Sequence, residues 1–337
     1  MSSLSSLPLV RYRFTFVMHD AVRLPELAGS ALRGVFGHAL RQLACMTKAK
    51  TCTGCPLIEQ CPYPTIFEPH EKPSMRSKQQ TSDNKFATTL QHIPPPYVIE
   101  PPLCGAQTIA AGATISFNMQ LIGAALPQLP LIIFAWQRAF ARGINKTRST
   151  GDLLTVEAFA ADETASTIYS KETTQVQTHA THLIIPAYTA PQDIHLHLLT
   201  PLRIEKNKVP LGPKEITAAA LLRQLIRRVS LVMQFQYAEN TAWHMDKNTA
   251  QKLNALADTV KDERRLRWQE WSRYSSRQQQ VMELGGVTGH WLLKQVPVEL
   301  LPYLYLGQWL HAGKEAVFGL GKYEITATAW NPEEARV

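Results

Sequence analysis

The first hydrophobic pattern in the chain is an alternation near the N-terminus. In the segment LVRYRFTFV, apolar side chains occupy every second position from Val10 to Phe16, and polar side chains stand between them. This spacing is typical of a strand with one buried face. From about Pro25, apolar residues recur at helical spacing as far as Leu43. The N-terminal segment therefore predicts a strand followed by a helix.

The same order of patterns recurs along the rest of the chain. In the first half, the patterns predict a strand near 114–121, a helix near 126–141 and a strand at 153–159. The second half predicts a strand at 193–200, a long helix at about 214–235, a second helical region, a strand near 287–294, a helix at 298–311 and a closing strand from 322. Each half thus contains a strand, a long helix, a strand region, a short helix, a basic loop with glycine and a strand.

This repeated order predicts an α+β fold with two tandem ferredoxin-like domains, a fold that RNA-recognition modules share. Prolines at 186, 191 and 201 favour a boundary that separates a domain at 1–187 from one at 188–337. Within the first domain, residues 68–92 are polar and aperiodic, which predicts an insertion. Together with the cysteines before it, this insertion covers about 45–92.

Four of the five cysteines form a cluster with the spacing C-x6-C-x2-C-x5-C. They are Cys45, Cys52, Cys55 and Cys61. A C-x2-C pair presents two sulfurs to one metal ion, and in a reducing compartment we expect structural zinc here. An iron–sulfur cluster is the alternative ligand, and four unliganded thiols are the third reading. Four protein ligands leave no open position, so we expect no catalytic metal.

Composition and charge limit the classes of partner. The 337 residues are 45% hydrophobic and 18% charged, which is ordinary for a globular protein. The formal net charge of +8 makes nucleic acid the first partner to consider and an anionic membrane surface the second. The N-terminus lacks the apolar segment of a signal peptide, and the longest apolar run, 129–136, is too short to span a bilayer. We therefore expect a cytoplasmic protein without a membrane partner.

The segment HAGKEAVFGLGKYEI near the C-terminus has three glycines between a predicted helix and a predicted strand. Gly313, Gly319 and Gly321 stand with Lys314 and Lys322, so backbone N–H groups and two ammonium groups could converge on a phosphate. The alternative is that the glycines only satisfy a tight backbone connection. We predict that both lysines contact RNA.

A second group of side chains suited to RNA lies in the segment WQEWSRYSSRQ. Arg273 and Arg277 could donate to phosphates, and Tyr274 could stack on a base. The alternative is an exposed basic helix whose tryptophans, Trp268 and Trp271, face the core.

Several segments together resemble a known family. They are GSALRGVFGHALRQLAC, the cysteine cluster with CPYPTIFE, TPLRI, RYSSRQ with ELGGVTG, and LGQWLHAGKEAVFGLGKYEI. These segments are similar to the CRISPR precursor-RNA processing endoribonucleases of the RAMP superfamily. The resemblance implies tandem ferredoxin-like domains, recognition of CRISPR repeat RNA, and one metal-independent cut per repeat that releases crRNA.

A metal-independent cut of RNA has defined chemical requirements. The 2′-OH attacks the adjacent phosphate and leaves a 2′,3′-cyclic phosphate, so a base, an acid and stabilising cations are needed. Histidine suits both proton roles. The resemblance points to His38 on the first helix, and His311 adjoins the glycine segment. Each has a structural alternative, since His38 could be a packing residue and His311 could cap its helix.

Arg33, in the LRG of the first helix, could support either RNA binding or the fold. The alternative function is a non-catalytic RAMP subunit that binds guide RNA in a CRISPR effector complex. Repeat RNA or crRNA is the expected partner in both cases, and other CRISPR effector subunits are further expected partners. A zinc-dependent enzyme is disfavoured, since four cysteines would fill the coordination of the metal.

Overall fold

The computed structural model describes residues 5–69, 93–103, 105–145, 147–275 and 280–326. The chain divides into two compact units. The N-terminal unit comprises Ser6–Ile184 and Leu231–Ala242, and the C-terminal unit comprises Met1–Ser5, Ile185–Ser230 and Trp243–Val337. The sequence did not predict that residues 231–242 would cluster with the N-terminal unit.

The N-terminal unit is built on an antiparallel sheet with the order β3-β5-β1-β6-β7, and β8 also pairs with β1. Its strands are β1 (Ser6–Met18), β2 (Val22–Leu24), β3 (Tyr97–Glu100), β4 (Gln107–Ile109), β5 (Thr114–Ile122), β6 (Gly151–Phe159), β7 (Ala165–Ser170) and β8 (His182–Ile184). Its helices are α1 (Gly29–Ala44), α2 (Pro62–Ile66) and α3 (Leu129–Ala141), and a 3-10 helix at Gly123–Gln128 precedes α3.

The core of the N-terminal unit lies between this sheet and helices α1 and α3. The alternation in β1 buries Phe14 and Phe16 completely, because successive side chains of a strand point to opposite faces. Helix α1 contributes Phe36, whose ring stacks on Trp136 of α3 with centroids 4.9 Å apart. The apolar pattern thus joins both helices to one face of the sheet.

The C-terminal unit contains a four-stranded antiparallel sheet with the order β12-β15-β9-β16. Its strands are β9 (Gln192–Leu202), β10 (Glu205–Lys206), β11 (Val209–Pro210), β12 (Lys261–Gln269), β13 (Ser272–Ser275), β14 (Gln280–Glu283), β15 (Gly286–Val296) and β16 (Tyr323–Thr326). Its helices are α5 (Lys247–Thr259), α6 (Leu301–Leu310) and the part of α4 (Ala218–Gln236) up to residue 230, with a 3-10 helix at Ala316–Phe318. A further 3-10 helix is at Thr241–Trp243.

Both units contain the β-α-β-β-α-β arrangement with one strand order. In the N-terminal unit, the first to fourth strands are β1, β3, β5 and β6, which lie in the order β3-β5-β1-β6. In the C-terminal unit they are β9, β12, β15 and β16, in the order β12-β15-β9-β16. Each sheet therefore runs second, third, first, fourth. The prediction of an α+β chain with two tandem ferredoxin-like domains is confirmed.

The helices of the C-terminal unit pack closely on its sheet at a glycine. A Cβ at Gly307 of α6 would lie 2.1 Å from the Tyr323 hydroxyl oxygen and 2.6 Å from a Leu225 methyl group. The Tyr323 hydroxyl donates to the Leu304 carbonyl at 2.6 Å. This contact fixes α6 against β16 and positions the loop between them.

The segment before β15 differs from the sequence interpretation. The second helical region is α5, but residues 261–269 form strand β12, in which charged residues are exposed at every second position. Residues 70–92, where the polar insertion is predicted, lie outside the described residues. Among the helices that the structure describes, none is both long and apolar enough to cross a membrane.

Candidate functional site

Helix α1 presents a histidine to solvent in the N-terminal unit. The helix buries Leu32, Phe36 and Leu40, which leaves His38 exposed. The Gln42 side-chain amide nitrogen donates to His38 Nε2 at 2.8 Å, so this ring nitrogen is an acceptor and the neutral ring has its proton on Nδ1. One turn earlier is Gly34, where an added Cβ would have no atom within 4 Å. The histidine is thus an exposed imidazole beside an exposed stretch of helix.

Arg33 lies on the same helix and packs against an aromatic ring. Its guanidinium carbon is 4.4 Å from the centroid of Phe67, which follows α2. The same ring covers Gly37, where an added Cβ would lie 2.1 Å from Phe67 Cζ. The geometry gives Arg33 a role in joining α1 to the segment after the cysteines. The prediction that it contacts RNA stays a prediction.

The four predicted metal ligands line one pocket. Cys45, Cys52, Cys55 and Cys61 surround it together with apolar side chains. The Thr47 hydroxyl oxygen lies 3.8 Å from Cys45 Sγ and 3.6 Å from Cys55 Sγ. Arg41 of α1 donates to the carbonyls of Ala49 and Lys50, which fixes the loop to the helix.

The electrostatic surroundings of these thiols differ. Burial raises the pKa of the Cys52 thiol. At Cys45, burial also acts to raise the pKa, but hydrogen bonds from Thr47 and from the Lys48 backbone outweigh it, and the pKa is lowered. In the part of the chain that the structure describes, no group of three or more His, Cys, Asp or Glu side chains has a metal-holding arrangement. The sulfurs share a pocket without forming a ligand set, and zinc stays a prediction.

Residues 311–322, which we call the glycine loop, connect α6 to β16 in the C-terminal unit. Gly313, Gly319 and Gly321 all have positive φ, at 76°, 101° and 67°. An added Cβ would lie 1.8 Å from the Ala312 carbonyl oxygen at Gly321 and 2.5 Å from the Arg203 carbonyl oxygen at Gly313. Glycine is required here by the path of the backbone itself.

The backbone donors of the glycine loop are used within the C-terminal unit. The N–H groups of Lys314 and Gly321 donate to the carbonyls of Arg203 and Pro201 at 2.9 and 3.0 Å. The Lys322 N–H donates to the Thr200 hydroxyl at 2.8 Å. These three N–H groups already have acceptors within the unit, so they are not offered to a phosphate. Contact of the two ammonium groups with a phosphate stays a prediction.

The two lysines of the glycine loop differ in exposure. Lys314 is more exposed, and its Nζ lies 2.5 Å from a Glu205 carboxylate oxygen. Arg203 Nε donates to the same carboxylate at 3.0 Å. Partial burial acts to raise the pKa of Glu205, but these two cations lower it below its usual value. Lys322 is half-buried. RNA contact by either lysine stays a prediction.

His311 occupies a different environment from the one expected. The residue has no exposed surface, and its Nδ1 lies 3.2 Å from the Leu320 carbonyl oxygen. A ring in this position is closed off from any bound phosphate. Its φ of 58° also ends α6, so the structural role, closing the helix and bracing the glycine loop, fits better than proton transfer.

The remaining predicted RNA contacts fall in the hairpin of β13 and β14. Arg273 and Tyr274 lie on β13, paired with Met282 and Val281, and Arg277 lies outside the described residues. Sequence reasoning missed a pair of histidines on the C-terminal sheet, His197 and His290, whose rings stack 4.3 Å apart. The HLH alternation in β9 was the available signal.

Comparisons with known proteins agree with this fold. Residues 7–181 match the family model AF_1859_N, described as an N-terminal domain, and residues 196–323 match the model described as CRISPR-associated endoribonuclease Cas6. No curated protein sequence matches the chain. A solved Cas6 product complex has a TM-score of 0.52 at 12% identity, covering 94% of this chain and 100% of the other.

Two further solved structures contain larger chains. A partial Cas6-RT-Cas1–Cas2 complex and a Cas6-RT-Cas1–Cas2 complex each have a TM-score of 0.54 at 15% identity and cover 98% of this chain. The matched part makes up 48% and 30% of those chains, so this chain spans about half of them or less. At these identities the likeness shows the fold.

Proposed function

Because residues 196–323 match the model of the CRISPR-associated endoribonuclease Cas6 family, we propose that the chain is an endoribonuclease of this family and that it cuts CRISPR repeat RNA by attack of a 2′-OH on the adjacent phosphate. Members of this family process CRISPR repeat RNA, so this RNA is the substrate and the main partner. The proposed cut forms the O2′–P bond and breaks the P–O5′ bond, so it leaves a 2′,3′-cyclic phosphate on the upstream fragment and a protonated 5′-hydroxyl on the downstream fragment, and it releases crRNA. It needs no metal, since the nucleophile is part of the substrate.

The observation that supports this mechanism is the environment of His38. A base must take the proton of the 2′-OH, and an imidazole with an acceptor nitrogen is suited to that step near neutral pH. His38 is an exposed imidazole on α1, and Gln42 Nε2 lies 2.8 Å from its Nε2, so the RNA must displace Gln42 from this nitrogen before it can take a proton. The surface at Gly34, one turn earlier, is open, since an added Cβ there would have no atom within 4 Å. We assign the base to His38.

The test is single-turnover cleavage of a labelled repeat RNA in EDTA. We expect His38→Ala to slow the cut by ~10²–10⁴-fold, the usual cost of losing a general base, while RNA affinity stays close to wild type. His182→Ala, which removes an exposed histidine on β8, is the matched control and should cleave at the wild-type rate. A deoxyribose at the nucleotide before the cut should stop cleavage and preserve binding.

Three results would contradict the proposal. Cleavage at the wild-type rate by His38→Ala would remove this histidine from the chemistry. Cleavage of the deoxy-substituted RNA at the same bond would require a water nucleophile. Binding of repeat RNA without any cut would favour the non-catalytic RAMP subunit. The likeness to the Cas6-RT-Cas1–Cas2 complexes adds Cas1–Cas2 and other CRISPR subunits as proposed protein partners.

A further inference from the structure

The sheet of the C-terminal unit has two chemically different faces. On one face, the side chains of Leu196, Leu198, Trp291 and Leu293 are buried. On the opposite face, which we call the outer face, the alternate residues of the same strands are at least partly exposed and mostly polar, apart from Leu199 and Leu292. Since side chains alternate along a strand, the polar side chains of the outer face point away from the core.

One row of side chains crosses the outer face on all four strands. The strand register aligns Arg265 of β12 with His290 of β15, His290 with His197 of β9, and His197 with Glu324 of β16. The two imidazole rings stack with centroids 4.3 Å apart and an angle of 10° between their planes. The row therefore has two titratable rings at its centre, on the two central strands.

These central strands are the positions that RNA-recognition modules use. In such modules, aromatic side chains on the exposed face of a four-stranded sheet stack on bases. Here each ring has one face covered by the other ring, so the pair has less ring surface for a base. The ring nitrogens are the groups that the pair offers to a ligand, and two protonated rings would both donate to an anion.

The charge of the outer face depends on these histidines. On strands β9, β12, β15 and β16, the cations of this face outnumber its anions by four to three, so these strands are nearly balanced while the imidazoles are neutral. The cations are Lys261, Arg265, Arg267 and Lys294, the anions are Asp193, Glu263 and Glu324, and the histidines are His195, His197 and His290. Lys294 pairs with Glu263, and Asp193 accepts from Gln295. Protonation of the three rings would make the face strongly cationic.

The surroundings of His197 disfavour its charged form when no ligand is present. Burial, and then the proximity of His290, lower the pKa of His197, and Glu324 opposes this only in part. An anion near both rings would reverse the balance, because it stabilises two positive charges that otherwise repel each other. Ligand binding and proton uptake are therefore coupled at this row.

Among the described residues, the corresponding face of the N-terminal sheet does not have a charge that depends on stacked histidines. There, Arg11 pairs with Glu163 and lies 3.7 Å from Glu100, and Arg13 lies 3.8 Å from Glu157. Its arginines are thus balanced by carboxylates, and its central strands carry no stacked imidazoles among the described residues. The comparison selects the C-terminal sheet as the anion-binding face.

We propose that the outer face of the C-terminal sheet binds the phosphodiester backbone of the repeat RNA, and that protonation of the His197–His290 pair strengthens this binding. The proposal rests on the proposed function, since it takes repeat RNA as the ligand. It assigns these histidines to substrate binding and leaves proton transfer in the cut to His38.

The test is the pH dependence of RNA affinity at fixed ionic strength. The probe is a repeat RNA with 2′-fluoro riboses, which keeps every phosphate and lacks the nucleophile. For wild-type protein, we expect the Kd from fluorescence anisotropy to rise by about 5–10-fold between about pH 5.5 and about pH 7.5, as an average uptake of about half a proton on binding requires. In the double variant His197→Gln, His290→Gln, we expect this dependence to be lost. His182→Gln should retain it.

A second variant, a folding control and a cleavage control distinguish the possible outcomes. Arg265→Gln should weaken binding and reduce the salt dependence by about one counterion, with the pH dependence kept. Thermal melts verify that each variant is folded. If the double variant keeps both the affinity and the pH dependence of wild type, the outer face does not bind the RNA backbone. Failure of the proposed function would appear separately, as absence of cleavage of an all-ribose repeat by wild-type protein.

Discussion

Replacing Gly321 with alanine tests whether the glycine loop is a structural connection. Gly321 has a φ of 67°, and an added Cβ would lie 1.8 Å from the Ala312 carbonyl oxygen. The Ala312 carbonyl belongs to the backbone of the same loop, so it cannot rotate away from the added methyl group as the end of a flexible side chain can. The loop must therefore shift, and the hydrogen bonds that Gly321 makes to Ala312 and Pro201 are affected first.

The expected loss of stability follows from these contacts. A left-handed conformation costs a non-glycine residue roughly 1–2 kcal/mol. The Ala312 N–H to Gly321 carbonyl bond and the Gly321 N–H to Pro201 carbonyl bond contribute about 1 kcal/mol each. The free energy of unfolding of the C-terminal unit should fall by about 3–4 kcal/mol. For a unit of this size, that lowers the melting temperature by about 10 °C.

The assay is thermal and denaturant unfolding of Gly321→Ala, with Gly34→Ala as the matched control. Gly34 lies on an exposed helical position, where an added Cβ would have no atom within 4 Å. Alanine there should raise stability by about 0.5–1 kcal/mol, since glycine is a poor helix former. The two substitutions add the same methyl group and should change stability in opposite directions.

The reasoning is refuted if Gly321→Ala unfolds at the wild-type midpoint. An unchanged midpoint together with weaker binding of repeat RNA would return the glycine loop to a direct phosphate contact. Weaker RNA binding that accompanies a lower midpoint is the expected pattern, and it disappears when affinity is measured well below the melting transition.

Two further predictions concern the cysteine pocket and the ion pair of the glycine loop. We propose that the four cysteines bind zinc, so purified protein should contain about one equivalent by elemental analysis, and Cys52→Ser with Cys55→Ser should lose it; metal retained by the double variant would contradict the ligand assignment. Because the folded state lowers the pKa of Glu205, its carboxylate stabilises the fold above the ordinary glutamate pKa, and this stabilisation is lost as pH falls through the lowered value. On acidification, Lys314→Gln should lose less of its free energy of unfolding than wild type does, by a difference of less than ~1 kcal/mol, because the lysine is largely exposed. The same dependence of the unfolding midpoint on pH in both proteins would contradict this prediction.

The strands that were predicted from the sequence are those with one apolar face. In β1 the apolar and polar positions alternate without a break, and burial follows the same alternation. Strand β12 reads KDERRLRWQ, and its inward positions include Asp262 and Arg264. Arg264 Nε lies 3.1 Å from an Asp262 carboxylate oxygen, to which Trp291 Nε1 also donates. The inward face of β12 thus carries a paired charge, and hydrophobic periodicity had no signal to detect.

The candidate site was predicted less completely, because its chemistry depends on environment. The local sequence does not distinguish His38 from His311, because both follow an apolar helical pattern. Only the tertiary contacts make one exposed and the other fully buried. The stacking of His197 on His290 is a contact between residues far apart in the chain, and it depends on the register of β9 and β15. The local pattern of apolar and polar residues does not determine the register between these two strands.

The internal bonding of the glycine loop has a consequence for amide hydrogen exchange. Loops ordinarily exchange fast, but the N–H groups of Ala312, Lys314, Gly319 and Gly321 all donate to carbonyls within the unit. Two of the acceptors belong to Pro201, in β9, and to Arg203, directly after it. Exchange at Lys314 and Gly321 then requires separation of the loop from the end of a central strand, so deuterium uptake in this irregular segment reports the opening of the sheet.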